Sequence, residues 1–335
     1  MEGSANGILH IFNPETDFAL GCGGSNFTPN TAIRSLRRHL ALMPAYWARK
    51  GDAILLLDEP TEAVPQETAE IINNKELHII RSEDLRDLKE MGITSVKPWG
   101  WNHTLRRFLL NNNIDKQLLP DSASIEILRQ KAHRRNTIEF HRIVGTAVEF
   151  WPSEFSQIED IKEWYEKREA GYLKAPWSSS GRGVYHFTRQ WNSGIENWVK
   201  GTLSRQESIM AEPDWEQDVD FATEWSINNG KARFLGYSLF NVDSNGQYTG
   251  NDTRSQEDIL CHLLYYGWNT EYLELQRIAL EAVIQDSYNG PVGIDCLHSP
   301  QHGFNLCVEM NLRMTMGMVT MLKNNELKIN AIYED

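Results

Sequence analysis

Long hydrophobic runs are absent from this 335-residue chain. No apolar stretch approaches the ~20 residues that cross a bilayer as a helix, so no membrane partner is expected. The amino terminus, MEGSANGILHIFNPE, lacks the basic region and long apolar core of a secretory signal, which points to the cytoplasm. Cysteine is scarce. Cys22, Cys261, Cys296 and Cys307 are scattered without a metal-binding spacing and read as reduced thiols rather than a disulfide framework. Excess positive charge is missing as well: a formal net charge of -13 opposes a broad basic face for nucleic acid. An anionic ligand must therefore meet local basic clusters. Internal repeats, low-complexity tracts and coiled-coil heptads are also lacking, and no Ser/His/Asp or Cys/His nucleophile arrangement stands out.

What is present is a hydrophobic fraction of 41%, enough for one large domain or two to three smaller ones with real cores. The first third alternates strand and helix signals. ILHIF, AILLL and ELHII read as short buried strands, and TAIRSLRRHLALMPAYWARKG reads as one amphipathic run ending at Gly51. Strands alternating with helices predict a small parallel α/β sheet. Between the first strand and first helix lies NPETDFALGCGGSNFTPN, a long polar loop without the G-x-G-x-x-G spacing of a dinucleotide site. Loops at the carboxyl ends of such strands often carry ligands, so Asn13 to Asn30 is either a specificity surface or an ordinary connection. The same choice holds for Trp99, Gly100 and Trp101 ahead of Arg106 and Arg107. Pro120 marks a domain boundary. Beyond it, Asp121 or Ser122 caps a helical run, SASIEILRQKAHRRNTIEFHRIV, with basic residues clustered from Arg129 to Arg135.

Three later motifs carry the chemistry. In YLKAPWSSSGRGVYHF, a strand bearing Lys174 leads through a Ser/Gly loop into a second strand. Small residues let backbone N–H groups approach phosphate oxygens, with Lys174 as a point charge and Arg182 as a clamp; a plain exposed hairpin has the same pattern. In ESIMAEPDWEQDVDFATEWSI, a strand ends at Glu212 and an irregular acidic stretch leads to another strand. Such a hinge offers backbone groups to a purine, and Asp220 and Glu224 to ribose hydroxyls or cations; a solvated acidic turn is the alternative. In VGIDCLHSPQHGFNLCVEMNLR, two strands flank a turn, and Asp295 and Glu309 lie equally far from His302. A symmetric hairpin places them directly opposite each other, about 5 Å apart at Cβ, where like charges repel. Asn311 follows on the same face. Two carboxylates and an amide oxygen there suit a hard divalent cation, although a solvated acidic face fits the same letters.

The order of these motifs, basic helix, lysine strand with Ser/Gly loop, strand with acidic hinge, and D…E-x-N-x-R hairpin, resembles the ATP-grasp superfamily. The resemblance covers Ser122 to the carboxyl terminus, and the hairpin is its most specific part. It implies an α/β amino-terminal domain (1–120) followed by an α+β ATP-grasp fold whose two subdomains, 121–205 and 206–335, clasp a nucleotide. It further implies ATP and Mg2+ as cofactors, with Mn2+ as a substitute. By resemblance, Lys131 or Arg134 and then Lys174 meet phosphate, Ser178, Ser180, Gly181 and Gly183 form the covering loop, and Glu212 begins the adenine hinge. Asp220 stands where a longer ribose-binding acid is usual. Asp295, Glu309 and Asn311 match the metal ligands, and Arg313, with Lys174, the groups at the transferred phosphate. The implied reaction is ATP-dependent activation of a carboxylate as an acyl phosphate, then attack by an amine or other nucleophile. Partners would be small-molecule carboxylate and amine substrates, an amino acid or peptide among them, with a homodimer compatible. Asn251, Arg254 and Arg182 are candidate substrate contacts. A small-molecule kinase and a non-catalytic nucleotide-binding regulator are the alternatives.

Overall fold

The computed structural model describes residues 7–61, 63–179, 181, 183–188, 190–242 and 248–333. Its packing divides the chain into two compact units, Met1–Ile127 with Leu322–Ile329, and Leu128–Met321 with Asn330–Asp335. The first unit thus reaches beyond residue 120.

Four short strands, β1 (Gly7–Ile11), β2 (Ala53–Leu55), β3 (His78–Ile80) and β4 (Ile93–Pro98), build the sheet of the first unit in the order β3-β2-β1-β4. All three pairings are parallel. Burial on both faces explains why these strands read as apolar runs. Leu9, Ile11, Leu55 and Val96 pack with Leu105 and Leu109 on one side, and Ile54 with Ala45, Ala48 and Leu77 on the other. The run predicted to be helical from Thr31 to Gly51 is interrupted. An α-helix spans Thr31–His39 and a separate 3-10 turn spans Met43–Tyr46, with Pro44 in its first turn, where a missing N–H costs nothing. Strand β4 was not among the sequence expectations; with only Ile93, Val96 and Pro98 buried in ITSVKP, its apolar signal is weak.

Helix His103–Asn111 begins at Asn102, whose Oδ1 accepts from Leu105 N at 2.9 Å while its Nδ2 donates to Thr16 Oγ1 at 3.1 Å. Asn102→Ala removes the cap and a buried tie to Thr16, which begins a short helix, Thr16–Gly21, within the segment expected to be a loop. A loss of about 1 kcal/mol is expected in urea unfolding, and a variant as stable as wild type would show the cap to be idle.

The second unit holds two sheets. Strands β5 (Ser153–Phe155), β6 (Gly171–Lys174), β7 (Val184–Phe187) and β8 (Ile209–Pro213) form one, in the order β5-β8-β6-β7. Helices Ile158–Glu166 and Ser193–Gln206 cover it, with Ile161, Tyr165, Leu173, Phe187, Val199 and Ile209 at the centre. Because β8 pairs with both β5 and β6, this part runs to Pro213 rather than ending at 205. Strands β9 (Val219–Asn228), β10 (Lys231–Val242), β11 (Tyr248–Asn251), β12 (Gly290–Ser299) and β13 (Gly303–Asn311) form an antiparallel sheet in the order β11-β10-β9-β12-β13.

The basic helical run after Pro120 also divides, into Ser122–Lys131 and Asn136–Val144. No proline or glycine breaks it. Instead the Asn136 side chain donates to the carbonyls of Gln130, Lys131 and His133, ending the first helix by competing for its last acceptors. Asp121 is the cap, accepting from Ser124 N at 2.7 Å. Among the described residues no helix is long and apolar enough to cross a membrane.

Candidate active site

Asp295 pairs directly with Glu309, and Gly293 with Asn311, but not through a symmetric hairpin about His302. Next to the turn Ser299 pairs with Gly303 and Leu297 with Asn305, and a register shift between Asp295 and Leu297 restores the expected pair. On the other side of β12, Gly293 faces Glu224, Asp295 faces Ala222 and Leu297 faces Asp220. Directly opposed residues share a face, so Asp220, Glu224, Asp295, Glu309 and Asn311 all stand on one face of the five-stranded sheet. Burial, and then the charge of Glu309, push the Asp295 carboxyl far above the usual carboxylate range. Two acids crowded in this way, with an amide oxygen alongside, form an all-oxygen donor set that relieves its repulsion on a hard cation. Among the described residues no three His, Cys, Asp or Glu side chains gather for a metal. Two carboxylates and an amide oxygen are a sparse set, of the kind that could hold Mg2+ if other oxygens completed its octahedron.

Cations converge from the other parts of the unit. Arg313, just past β13, donates through Nη2 to Asn311 Oδ1 at 2.8 Å and to Ser179 Oγ at 3.4 Å, and through Nη1 to Met314 O at 3.0 Å. Arg134, in the break between the two basic helices, is only 4% exposed. Its Nη2 donates to Glu309 Oε2 at 2.6 Å, and its Nη1 to Ser178 Oγ at 2.8 Å and Ala175 O at 2.5 Å. Lys131 goes elsewhere, donating to Val283 O at 2.6 Å. Of the two basic residues left open by the sequence, Arg134 is the one brought to the Ser/Gly loop. Lys174, at the end of β6, is buried and lies 2.5 Å from Glu212 Oε2 on the neighbouring β8. Asp220 is pushed up to about 6 by burial, with the Lys174 charge opposing.

The loop itself depends on glycine. Gly183 has φ +82°, and a Cβ there would come 2.7 Å from that of Ser178. Gly181 also has positive φ, and Ala175 N donates to Gly183 O to close the loop. Ser180 and Arg182 lie outside the described residues. Ser179, not singled out in the sequence, is the serine that meets Arg313. Asn251 is on the edge strand β11, where Nδ2 donates to Leu239 O at 3.4 Å, and Arg254 pairs with Asp252 at 2.7 Å. Asn251 Oδ1 also accepts from the Tyr248 hydroxyl, so both side chains are engaged by nearby partners.

Glu224 belongs to the site more closely than its place in the acidic hinge suggested. It is 1% exposed. Ser238 Oγ donates to its Oε1 and Thr315 Oγ1 to its Oε2, each at 2.9 Å. A Cβ on Gly317 would sit 2.1 Å from Oε1, so the fold makes room for this carboxyl. Burial pushes it up to about 7 against the pull of Thr315, Ser238 and Arg313. The alternation of TEWS, in phase with Asp220, is the sequence signal for its face.

No protein-family model and no curated protein matches the sequence. Solved structures do resemble the fold. Biotin carboxylase from Campylobacter jejuni, in complex with a β,γ-ATP ligand, is 13% identical with a TM-score of 0.55, over 94% of this chain and 67% of that one. N5-carboxyaminoimidazole synthetase from Staphylococcus aureus, complexed with ADP, gives 13% and 0.54 over 97% and 77%. D-alanyl-alanine synthetase A from Vibrio cholerae gives 12% and 0.54 over 97% and 95%. At such identities the likeness establishes the fold. The chain has the ATP-grasp fold, with its parallel α/β part and its antiparallel sheets, and the resemblance drawn from the motif order holds at that level.

Proposed function

We propose that the protein is an ATP-dependent ligase that activates a carboxylate as an acyl phosphate for attack by an amine, with an amino acid or peptide as substrate. One observation carries this reading. The opposed pair Asp295 and Glu309, with Asn311, shares a single unit with three cations, Lys174, Arg134 and Arg313, two of which reach the same Ser/Gly loop. The reported ADP and ATP complexes of similar structures support it.

Phosphoryl transfer needs positioning and charge neutralisation more than a covalent protein group. Asp295, Glu309 and Asn311 would hold Mg2+, which when bound shields phosphate charge. Lys174 and Arg134 would meet the phosphates, the backbone of the glycine loop would cover them, and Glu212 would border the adenine. Arg313, held by Asn311 and Ser179, would stabilise the transferring group. The substrate carboxylate oxygen attacks the γ-phosphorus and ADP departs; the amine then attacks the acyl carbon and phosphate departs.

The test has two stages. Mg-ATP at a hundredfold excess over its Kd is expected to stabilise the fold by about 2.7 kcal/mol, and Glu309→Gln to lose most of that gain. Carboxylates are then screened with ATP and hydroxylamine, which traps an acyl phosphate as a hydroxamate. ADP release with a stable phosphorylated product and no hydroxamate would assign a kinase instead. Mg-ATP stabilisation without turnover would assign a regulator, and no stabilisation would remove the nucleotide from the reading altogether.

A further inference from the structure

A single guanidinium fastens two parts of the site that a ligand must share. Arg134 Nη1 donates to Ser178 Oγ and to Ala175 O, at opposite sides of the bend into the Ser/Gly loop, and the backbone N of Arg134 donates to Pro176 O at 3.2 Å. Its Nη2 holds Glu309 Oε2 at 2.6 Å, across 175 residues of sequence. Its Nε is buried and has no hydrogen-bond partner among the described residues.

A guanidinium is always charged and presents five donors in a fixed plane. Paired with it, Glu309 is a poor ligand for a hydrated cation. A metal that took Glu309 would break a buried ion pair and strand the Arg134 charge in a site where it has no other carboxylate at salt-bridge distance among the described residues. Phosphate oxygens remove that obstacle, because they offer the guanidinium a new anionic partner of matching geometry. The cation and the polyphosphate then exchange partners with the protein's own pair: Arg134 turns to phosphate as Glu309 turns to metal.

We propose that Arg134 is a specificity residue that withholds Glu309 from free divalent cations and yields it to a cation carrying a polyphosphate, so that metal and nucleotide bind as one unit. This rests on the nucleotide reading above, and its signature is a coupling between two ligands rather than an activity.

The experiment uses Mn2+ as the probe, with free ion read by electron paramagnetic resonance, on the full chain with and without β,γ-methylene-ATP. For wild type, Mn2+ alone should bind weakly and the analogue should tighten it at least about tenfold, within the usual range of coupling. Arg134→Gln should bind Mn2+ alone at least about tenfold tighter than wild type, and the analogue should then add less than about threefold. Arg134→Lys keeps the charge without the fork and should fall between the two, which preserves the test should the glutamine variant fail to fold by circular dichroism. Ser178→Ala, which leaves the ion pair intact, should keep the wild-type affinity for Mn2+ alone. Equal affinity for Mn2+ alone in wild type and both Arg134 variants, with the analogue still tightening all three, overturns this inference and leaves the proposed function standing. Failure of wild type to take up Mn2+ with the analogue at all overturns both.

Discussion

Lys174→Ala is expected to lose about 3–5 kcal/mol of stability together with most affinity for Mg-ATP. The stability loss follows from what the lysine leaves behind. Its side chain is 9% exposed and that of Glu212 10%, and their charged atoms meet at 2.5 Å. The other Glu212 oxygen is buried with no hydrogen-bond partner among the described residues. Without Lys174 this carboxylate keeps its desolvation and loses its counter-charge. Removing both charges has the opposite consequence, since replacing a buried pair by apolar groups of similar volume is often neutral. Lys174→Met with Glu212→Leu should therefore return to within about 1–2 kcal/mol of wild type in urea unfolding, yet stay unable to bind Mg-ATP by calorimetry. The pair would then serve ligand binding rather than folding. A single variant within about 1 kcal/mol of wild type would mean that water reaches Glu212 and that the pair is effectively a surface one.

The parts of the site legible in the sequence are those set by local periodicity. The two-residue side-chain period suffices to put Asn311 on the face of Glu309, whereas opposing Asp295 to Glu309 also takes a register shift between Asp295 and Leu297, since the turn itself pairs Ser299 with Gly303. The Ser/Gly loop announces itself through residues that tolerate positive φ, as Gly181 and Gly183 do. Features that depend on distant partners were hidden. Whether Lys131 or Arg134 reaches the loop is decided by a helix break, and that break is made by the Asn136 amide bonding three backbone carbonyls, for which no periodicity gives a signal. The acidic letters around Asp220 suggest a wet hinge, whereas β9 is covered so fully that Thr223 and Glu224 are 0% and 1% exposed. Strand β4 and the break after His39 were missed because a half-polar strand and a proline-started turn both weaken the apolar pattern.

Glu224→Gln is expected to make the protein more stable at pH 8 and to change nothing at pH 4. The Glu224 carboxyl rises from 4.5 in the unfolded chain to about 7 in the fold, with burial as the largest cause. Below the unfolded value both states hold the proton, and the carboxylic acid and the amide are close equivalents. As pH climbs from 4.5 toward 7 the unfolded chain releases its proton first, so the native state holds more protons and stability falls with rising pH. Above 7 both states are ionised and the loss is complete, about 3 kcal/mol for a shift of that size. Glutamine never pays it, apart from what Ser238 and Thr315 forfeit when one hydroxyl must accept instead of donate. The difference between variant and wild type, from urea unfolding with EDTA at several pH values, isolates this group from Asp220 and Asp295, which are also displaced upward. A variant less stable than wild type at pH 8 would mean that Arg313 and the two hydroxyls outweigh burial, making Glu224 a structural anchor. A more stable variant would show a carboxylate kept at a cost to the fold, on the same face as Asp295 and Glu309, which is the mark of a group retained for chemistry.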